Sequence, residues 1–265
     1  MTIKTSVIKV VDSFLLKRRL RLARTTDYAH LEQFFKAIKP VTTNHELIRI
    51  GGVADGGYLV PNDLQNIEIC FSPGVSVISN FEDDLAGRGI ECFLADYSVE
   101  GSLIQNKKFH FEKKFLGTVE DSKYMTLENW VQRNAPDRSD FILQMDIEGS
   151  EYGVICDTRA ETLKKFRILV IEFHSLQALC DRLGFQFIDL TFKKLLKDFE
   201  IVHIHPNNCF KPVVYGKYQI PPTLEITFLR KDRIKSKVPT SKFPHKLDLK
   251  NDPTNEDLAL PSCWF

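Results

Sequence analysis

The chain has 265 residues, 43% of them hydrophobic, and its formal net charge is +1. This length suits one doubly wound α/β domain, which uses roughly 180–200 residues, together with an extension at each end. The near-zero charge argues against a global electrostatic field that recruits nucleic acid or a membrane. No apolar run reaches the roughly 18 residues of a membrane span.

The cysteines and the N-terminal region favour a reducing environment. Six cysteines are scattered without a CxxC pair or zinc-finger spacing, so free thiols in a reduced cytosol are a simpler explanation than a disulfide framework. The apolar run 7–16 is interrupted by Lys9 and Asp12 and does not resemble a signal peptide. We therefore predict a cytoplasmic protein.

Residues 1–45 predict an N-terminal helical extension, because apolar residues recur there at helical intervals. These residues are Val7, Val10, Val11, Phe14, Leu15, Leu31, Phe34, Phe35 and Ile38. Pro40 ends the pattern. The basic run 17–21 favours a solvated helix face or a contact between copies of the chain in a homo-oligomer. Peripheral contact with a membrane surface or an acidic glycan is the alternative.

The segment 46–232 alternates apolar, strand-like runs with helical spans. This alternation predicts a Rossmann-like, doubly wound and mostly parallel sheet with helices on both faces. The seven predicted strands are 67–71, 90–95, 109–116, 141–146, 168–174, 201–205 and 223–229. Residues 233–265 are charged and punctuated by prolines, and we predict a C-terminal tail along the surface.

The turn after the first predicted strand, Ser72-Pro73-Gly74-Val75-Ser76, holds a single glycine. The dinucleotide fingerprint G-x-G-x-x-G is therefore absent, and no second glycine lets a pyrophosphate approach the backbone. Asp96 closes the second strand, about 20 residues on, where a carboxylate can accept hydrogen bonds from a ribose. A cofactor with one ribose and no phosphate, such as S-adenosylmethionine, fits this layout better than a dinucleotide.

Polar side chains, and in one turn also a glycine, follow most of the predicted strands. They are Ser72, Gly74 and Asp96, then Asp146, Glu148, Glu172 and His174, and finally His203, His205, Asn207 and Asn208. Ligands of doubly wound sheets bind beyond the carboxyl ends of the strands. We therefore expect these residues to share one site, although polar groups also end strands without any function.

The hexapeptide Asp146-Ile147-Glu148-Gly149-Ser150-Glu151 resembles the D-[IV]-E-G-x-E motif of the FkbM-type S-adenosylmethionine-dependent methyltransferases. The segments 79–82 (Ser-Asn-Phe-Glu) and 55–58 (Asp-Gly-Gly-Tyr), and the position of Asp96, are also similar to that family. The resemblance covers about residues 48–230. The segment 203–208 is not part of the general motif. Glu151 would lie in the first turn of a helix, where a capping role is equally expected.

The resemblance implies a class I methyltransferase that transfers a methyl group to a hydroxyl oxygen of a carbohydrate or related small molecule. The cofactor-binding residues it implies are Gly57, Ser72, Gly74, Asp96, Tyr97 and Asp146. Ser72 and Gly74 would line the methionine and ribose portion, and Asp96 would accept from the ribose hydroxyls with Tyr97 near the adenine. Asp146 would face the sulfonium or the acceptor.

Transfer to a hydroxyl also needs a base, and His174, His203 and His205 are candidates because neutral imidazole accepts a proton near pH 7. Residues two apart on a strand share a face, so Glu172 would pair with His174. Asp146, Glu172, His174 and His205 also offer suitable donors for a divalent metal ion that would acidify the acceptor. Any of the histidines could instead serve the structure alone.

Two other functional classes remain open from the sequence. One is a noncatalytic scaffold that keeps the cofactor fold, and the other is a nicotinamide-dependent oxidoreductase or epimerase, which the single-glycine turn disfavours. We expect a small-molecule or glycan acceptor and no nucleic acid, because the core lacks a basic groove studded with aromatic residues.

Overall fold

The computed structural model describes residues 3–20, 22–53 and 55–265, and their side chains from residue 10 onward. Arg21 of the basic run and Ala54 lie outside the described residues. The helices are α1 (Ile3–Leu16), α2 (Tyr28–Ala37), α3 (Asn80–Gly87), α4 (Leu127–Asn134), α5 (Glu151–Asp157), α6 (Ala160–Leu163) and α7 (Arg182–Asp198). The strands are β1 (Val41–Thr43), β2 (Leu47–Gly51), β3 (Gly57–Pro61), β4 (Ile69–Pro73), β5 (Glu91–Ala95), β6 (Phe109–Glu112), β7 (Phe115–Gly117), β8 (Tyr124–Thr126), β9 (Phe141–Met145), β10 (Phe166–Phe173), β11 (Phe199–Pro206), β12 (Val213–Tyr215), β13 (Tyr218–Ile220), β14 (Leu224–Arg230) and β15 (Lys237–Pro239).

Seven strands form the central sheet in the order β11-β14-β10-β9-β4-β5-β6. β14 runs antiparallel to both of its neighbours, and the other adjacent pairs are parallel. The chain builds outward from β4 to β6 and then returns to β9, so the strand order switches between β4 and β9. The predicted seven-stranded, mostly parallel sheet is confirmed.

The sheet is covered on both faces, which explains its continuous apolar strands. Every residue of β9 and β10 is buried, as expected for strands between two helical layers. One layer packs α2, α4, α5 and α7 against the sheet. The other consists of α3 and the β2–β3 hairpin, with Phe81 and Tyr58 in edge-to-face contact.

Local signals set several element boundaries. Thr126 caps α4, because its hydroxyl accepts a hydrogen bond from the Asn129 amide over 3.3 Å. The third predicted strand is shorter than expected: β6 ends at Glu112, and the chain then leaves the sheet to form the β7–β8 pair. At that point Glu112 accepts hydrogen bonds from Trp130 and Arg133, each over 2.8 Å.

The two extensions pack against each other and against the sheet domain. The apolar face of α2 is buried as predicted, and Phe35 meets the fully buried Trp264 with ring centroids 5.0 Å apart. β1 pairs with β15, which lies in the tail. The tail is therefore more than the surface covering that its composition predicts. Asn251 is only 6% exposed, and it reaches the interior.

The first helix, in contrast, presents apolar side chains outward. Val10 is 70% exposed and Phe14 is 53% exposed. The contact of this region with another copy of the chain, or with a membrane surface or glycan, stays a prediction. Among the described residues, no helix combines the length and hydrophobicity needed to cross a bilayer.

Candidate functional site

The turn after β4 packs directly against the end of β9. Gly74 has a φ of +86°, and its amide donates to the carbonyl oxygen of Ala95 over 2.8 Å. A Cβ at this position would lie 1.5 Å from the carbonyl oxygen of Asp146. Both the backbone conformation and the close approach therefore require glycine here.

Asp96 joins this turn to the end of β5. Its Oδ2 accepts from the Ser76 amide over 3.1 Å, and its Oδ1 accepts from the amide and hydroxyl of Ser98 over 2.7 and 2.6 Å. The carboxylate is buried beneath the turn. Gly74, Asp96 and Asp146 thus come together at the carboxyl ends of three adjacent strands.

A cavity of about 110 Å³ opens beside this junction, at the switch in strand order. Gly74, Ser76 and Asp146 line one side, and Gly56 and Tyr58 of the glycine-rich loop and β3 line the other. This is where doubly wound sheets bind their ligands. The loop that precedes β3 therefore forms part of the candidate site.

Ser72 and Gly57 lie behind the cavity wall. The Ser72 hydroxyl is fully buried, contacts the Glu82 carboxyl group and donates to Gln144 Oε1 over 2.6 Å. Gln144 in turn donates to the Tyr58 hydroxyl over 3.2 Å. The Ser72 side chain therefore supports the turn from below, and the place of Ser72 beside the methionine and ribose portion stays a prediction. Gly57 is buried in the hairpin beside the carbonyl oxygen of Gly52.

Tyr97 stands at the far side of the junction. Its half-buried ring packs against Phe115 with centroids 5.3 Å apart, and the Lys123 ammonium lies 5.6 Å from its centroid. Tyr97 adjoins Asp96 in the sequence, and its contact with an adenine stays a prediction.

His174 follows β10 and is surrounded by carboxylates. Its Nδ1 lies 3.0 Å from Glu151 Oε1, and its Nε2 lies 3.7 Å from both Asp146 Oδ1 and Glu172 Oε1. Glu148 Oε2 is 3.5 Å from the same nitrogen. Burial opposes the charged imidazolium, but the hydrogen bond to Glu151 and the neighbouring carboxylates together raise the pKa of His174.

Glu151 fixes this imidazole and the loop before it. The side chain is fully buried at the start of α5, and Oε1 also accepts from the amides of Ile147 and Gly149 over 3.2 and 3.1 Å. With Nδ1 held by Glu151, Nε2 points toward Asp146. This is the arrangement that orients a histidine base. Glu151 thus supports the loop before α5 and the His174 ring together.

Residues 87–199 match the family model described as the methyltransferase FkbM domain. The predicted resemblance is confirmed. The match supports a methyltransferase, and it includes Asp96, Asp146, Glu172 and His174. The turn at Gly74 precedes the matched segment, whereas His205 follows it.

Two solved structures are similar to parts of the chain at low identity. A Streptococcus thermophilus protein, described provisionally as a hemolysin, is 11% identical, with 63% of this chain and 61% of that chain covered and a TM-score of 0.36. A Pyrococcus horikoshii protein, described provisionally as an RNA methyltransferase, is 10% identical, with 63% and 77% covered and a TM-score of 0.30. The chain thus spans less than two thirds of the streptococcal protein. No curated protein matches the chain.

A row of buried carboxylates extends from the FkbM motif across the sheet. Burial raises the pKa of Asp146 and of Glu225 to about 7, and burial with the charges of Asp146 and Glu225 raises the pKa of Glu172 well above its usual range. Asn207 donates to Glu172 over 3.0 Å, and Asn251 of the tail donates to Glu225 over 2.5 Å. Each carboxyl group of the row therefore keeps its proton to a higher pH than an exposed carboxyl group does.

The structure distributes the predicted metal-binding set over three groups. Asp146 and His174 lie together with Glu151, with donor atoms within 4.8 Å of one another. Glu172 also adjoins His174, but among the described residues it groups with Asp55 and Glu225. The fourth predicted ligand, His205, lies opposite Glu225 on the neighbouring strand and groups with His203 and Asp248.

The structure brings further residues to this site. Glu151, Asp55 and Tyr58 appear in the sequence only as members of motifs, and Glu225 and Asn251 were not predicted. Glu151 had a signal in the last position of the FkbM hexapeptide, and Glu225 interrupts an otherwise apolar strand. Asn251 had no signal, because it reaches Asp55 and Glu225 from the tail through contacts remote in sequence.

Proposed function

We propose that the protein is an S-adenosylmethionine-dependent O-methyltransferase that acts on a hydroxyl of a carbohydrate or related small molecule. The observation that carries the proposal is the junction of Gly74, Asp96 and Asp146 beside a cavity at the switch in strand order. The family match supports methyl transfer, and the choice of acceptor follows the family resemblance alone.

The cofactor side of the proposal lies on the Gly74 turn. A bound sulfonium donor would supply an electrophilic methyl group. Asp96 would accept hydrogen bonds from the ribose with lone pairs left free by Ser76 and Ser98, and Tyr97 would contact the adenine. Gly74 would let the cofactor lie close to the backbone. The turn and Asp146 would then orient the acceptor in line with the methyl group.

The acceptor side centres on His174. Glu151 holds Nδ1, so Nε2 is free to accept the proton of a hydroxyl placed next to Asp146. A positioned base of this kind typically contributes about 10²–10⁴-fold to the rate. Glu172 and the carboxyl groups beside it would form hydrogen bonds with the other hydroxyls of a sugar, as donors when protonated and as acceptors when ionised.

A divalent ion would fit the group of Asp146, Glu151 and His174, which offers two carboxylates and one imidazole. Such an ion would lower the pKa of a bound hydroxyl. Assay of methyl transfer before and after exhaustive chelation decides the point. Loss of activity that returns with added metal supports an ion, and full activity in chelator excludes it.

Calorimetry with S-adenosylhomocysteine tests the cofactor. Wild-type protein should bind it, and Asp96→Asn should weaken binding roughly 10- to 100-fold, because hydrogen bonds to a charged group contribute about 1.5–3 kcal/mol. Asp137→Asn, at an exposed carboxylate outside the site, is the matched control. Unchanged affinity in Asp96→Asn would remove that residue from the site.

The same titration distinguishes the other functional classes. Absence of any adenosyl ligand binding in folded wild-type protein would favour the scaffold. Tight binding of NAD would favour the oxidoreductase or epimerase. With a labelled methyl donor and a panel of saccharides, a product that resists mild alkali would be an ether, whereas a methyl ester would be hydrolysed.

A further inference from the structure

His203 and His205 of β11 and Asp248 of the tail form a buried cluster outside the methyl-transfer site. His203 Nε2 lies 2.8 Å from Asp248 Oδ1, and His205 Nδ1 lies 3.8 Å from the same oxygen. The three side chains are 4%, 8% and 6% exposed. Their donor atoms all fall within 4.8 Å of one another.

The polar atoms of this cluster lack the partners that buried groups normally have. Both ring nitrogens of His205, together with His203 Nε2 and Asp248 Oδ1, make no hydrogen bond within the part of the chain that the structure describes. His203 Nε2 and Asp248 Oδ1 form a close ion pair over 2.8 Å. Buried nitrogen and oxygen atoms are rarely left without a hydrogen bond.

We propose that His203, His205 and Asp248 bind a divalent first-row transition metal, with Zn²⁺ as the foremost candidate. Two imidazoles and one carboxylate are a donor set that such ions favour. With bonds of about 2.1 Å to one ion, two ligand atoms lie roughly 3–3.5 Å apart, and the observed 2.8 and 3.8 Å fall on either side of that spacing. An ion pair with Asp248 holds His203 closely, whereas His205 lies 3.8 Å from the same oxygen, and neither of its ring nitrogens makes a hydrogen bond among the described residues.

A cavity of about 280 Å³ gives the cluster an entry path. His203 lines it together with His45, His245 and Lys242. The ring of His245 is centred 6.1 Å from that of His203. Water or a small anion in this cavity can complete the coordination shell, which three protein ligands leave open.

The metal would pin the tail to the edge region of the sheet. The histidines belong to β11, whereas Asp248 belongs to the tail, three residues before Asn251. Asn251 donates to Glu225 and Asp55, so a fixed Asp248 also fixes the tail over the carboxylate row. The site is therefore a positioning site, and it does not require that the proposed methyl transfer be correct.

Metal titration of chelator-treated, full-length protein tests the site. Wild type should bind at least one Zn²⁺ per chain, and Co²⁺ should give visible absorption bands of a nitrogen- and oxygen-ligated ion. His205→Ala and the isosteric Asp248→Asn should bind roughly 100-fold more weakly, or worse, since outer-shell changes already cost 10–100-fold. His30→Ala, at an exposed histidine, is the matched control.

His174→Ala separates this cluster from the group at the candidate active site and should keep the tight Zn²⁺ site. Zn²⁺ should also protect residues 240–252 from hydrogen exchange in wild type but not in Asp248→Asn. Folded wild type that binds no stoichiometric Zn²⁺ at micromolar concentration would overturn the proposal. So would unchanged affinity in both ligand variants. Binding of S-adenosylhomocysteine, measured on metal-free protein, reports separately on the methyltransferase.

Discussion

Replacement of Gly74 by alanine tests whether the turn after β4 is wedged against β9. The new Cβ would lie 1.5 Å from the Asp146 carbonyl oxygen, whereas ordinary contact begins at 3.4 Å, so the strand ends must separate by about 2 Å. The left-handed φ of +86° adds about 1–2 kcal/mol for an L-residue, and overpacking typically adds about 1–3 kcal/mol. We expect Gly74→Ala to lose about 2–5 kcal/mol of unfolding free energy.

Two other glycines separate these contributions. Gly89 has a φ of +93° and no atom within 4 Å of an added Cβ, so Gly89→Ala should lose only the conformational part. Gly87, at the end of α3, also has open space around it and no left-handed φ. Gly87→Ala should be neutral or up to about 1 kcal/mol stabilising. Urea unfolding of the three variants measures the series. A Gly74→Ala loss no larger than that of Gly89→Ala would refute the close packing.

The remaining predictions concern titration and catalysis. Burial raises the pKa of Glu82 from 4.5 to about 7. At about 1.36 kcal/mol per pKa unit, the protonated carboxyl group contributes about 3 kcal/mol to the free energy of unfolding. This contribution is complete below pH 4.5 and is lost as the pH rises through 7. Glu82→Gln should remove this slope in unfolding measurements at pH 5 and 8, and an unchanged slope would contradict the assignment. His174→Ala should lower turnover by about 10²–10⁴-fold with little change in S-adenosylhomocysteine affinity, and a wild-type rate would exclude it as the base. His174 must be neutral to act as a base, and its pKa is raised above 6.5, so wild-type activity should rise with pH through a range above 6.5. Glu151→Gln removes a carboxylate that raises this pKa and should shift the rise to lower pH.

The sheet was predictable because its signals are local and repeated. Apolar runs such as β9 and β10 show burial on both faces directly, and Asp96 and Asp146 end their strands as the motifs indicate. The end of β6 was less predictable. Its apolar pattern continues to Leu116, whereas the partners of Glu112 lie on α4 and turn the chain away from the sheet.

The environment of single side chains was not predictable from periodicity. Alternation places Ser72 on one face of β4, but only the position of Gln144 shows that its hydroxyl is enclosed. Likewise, the separation of His205 from the other predicted metal ligands depends on Asp248, which lies 43 residues further along the chain. Contacts of this kind follow from the packing of the tail, which has no repeating pattern.

The hydrogen bonds of Asn251 also bear on how the molecule matures. During synthesis the ribosome releases the β4–β9 core and even β14 well before residue 251, and domains begin to fold as they emerge. Until then Glu225 and Asp55 lack the Asn251 amide, so an early folded intermediate would hold both carboxyl groups without the hydrogen bonds that the finished protein gives them.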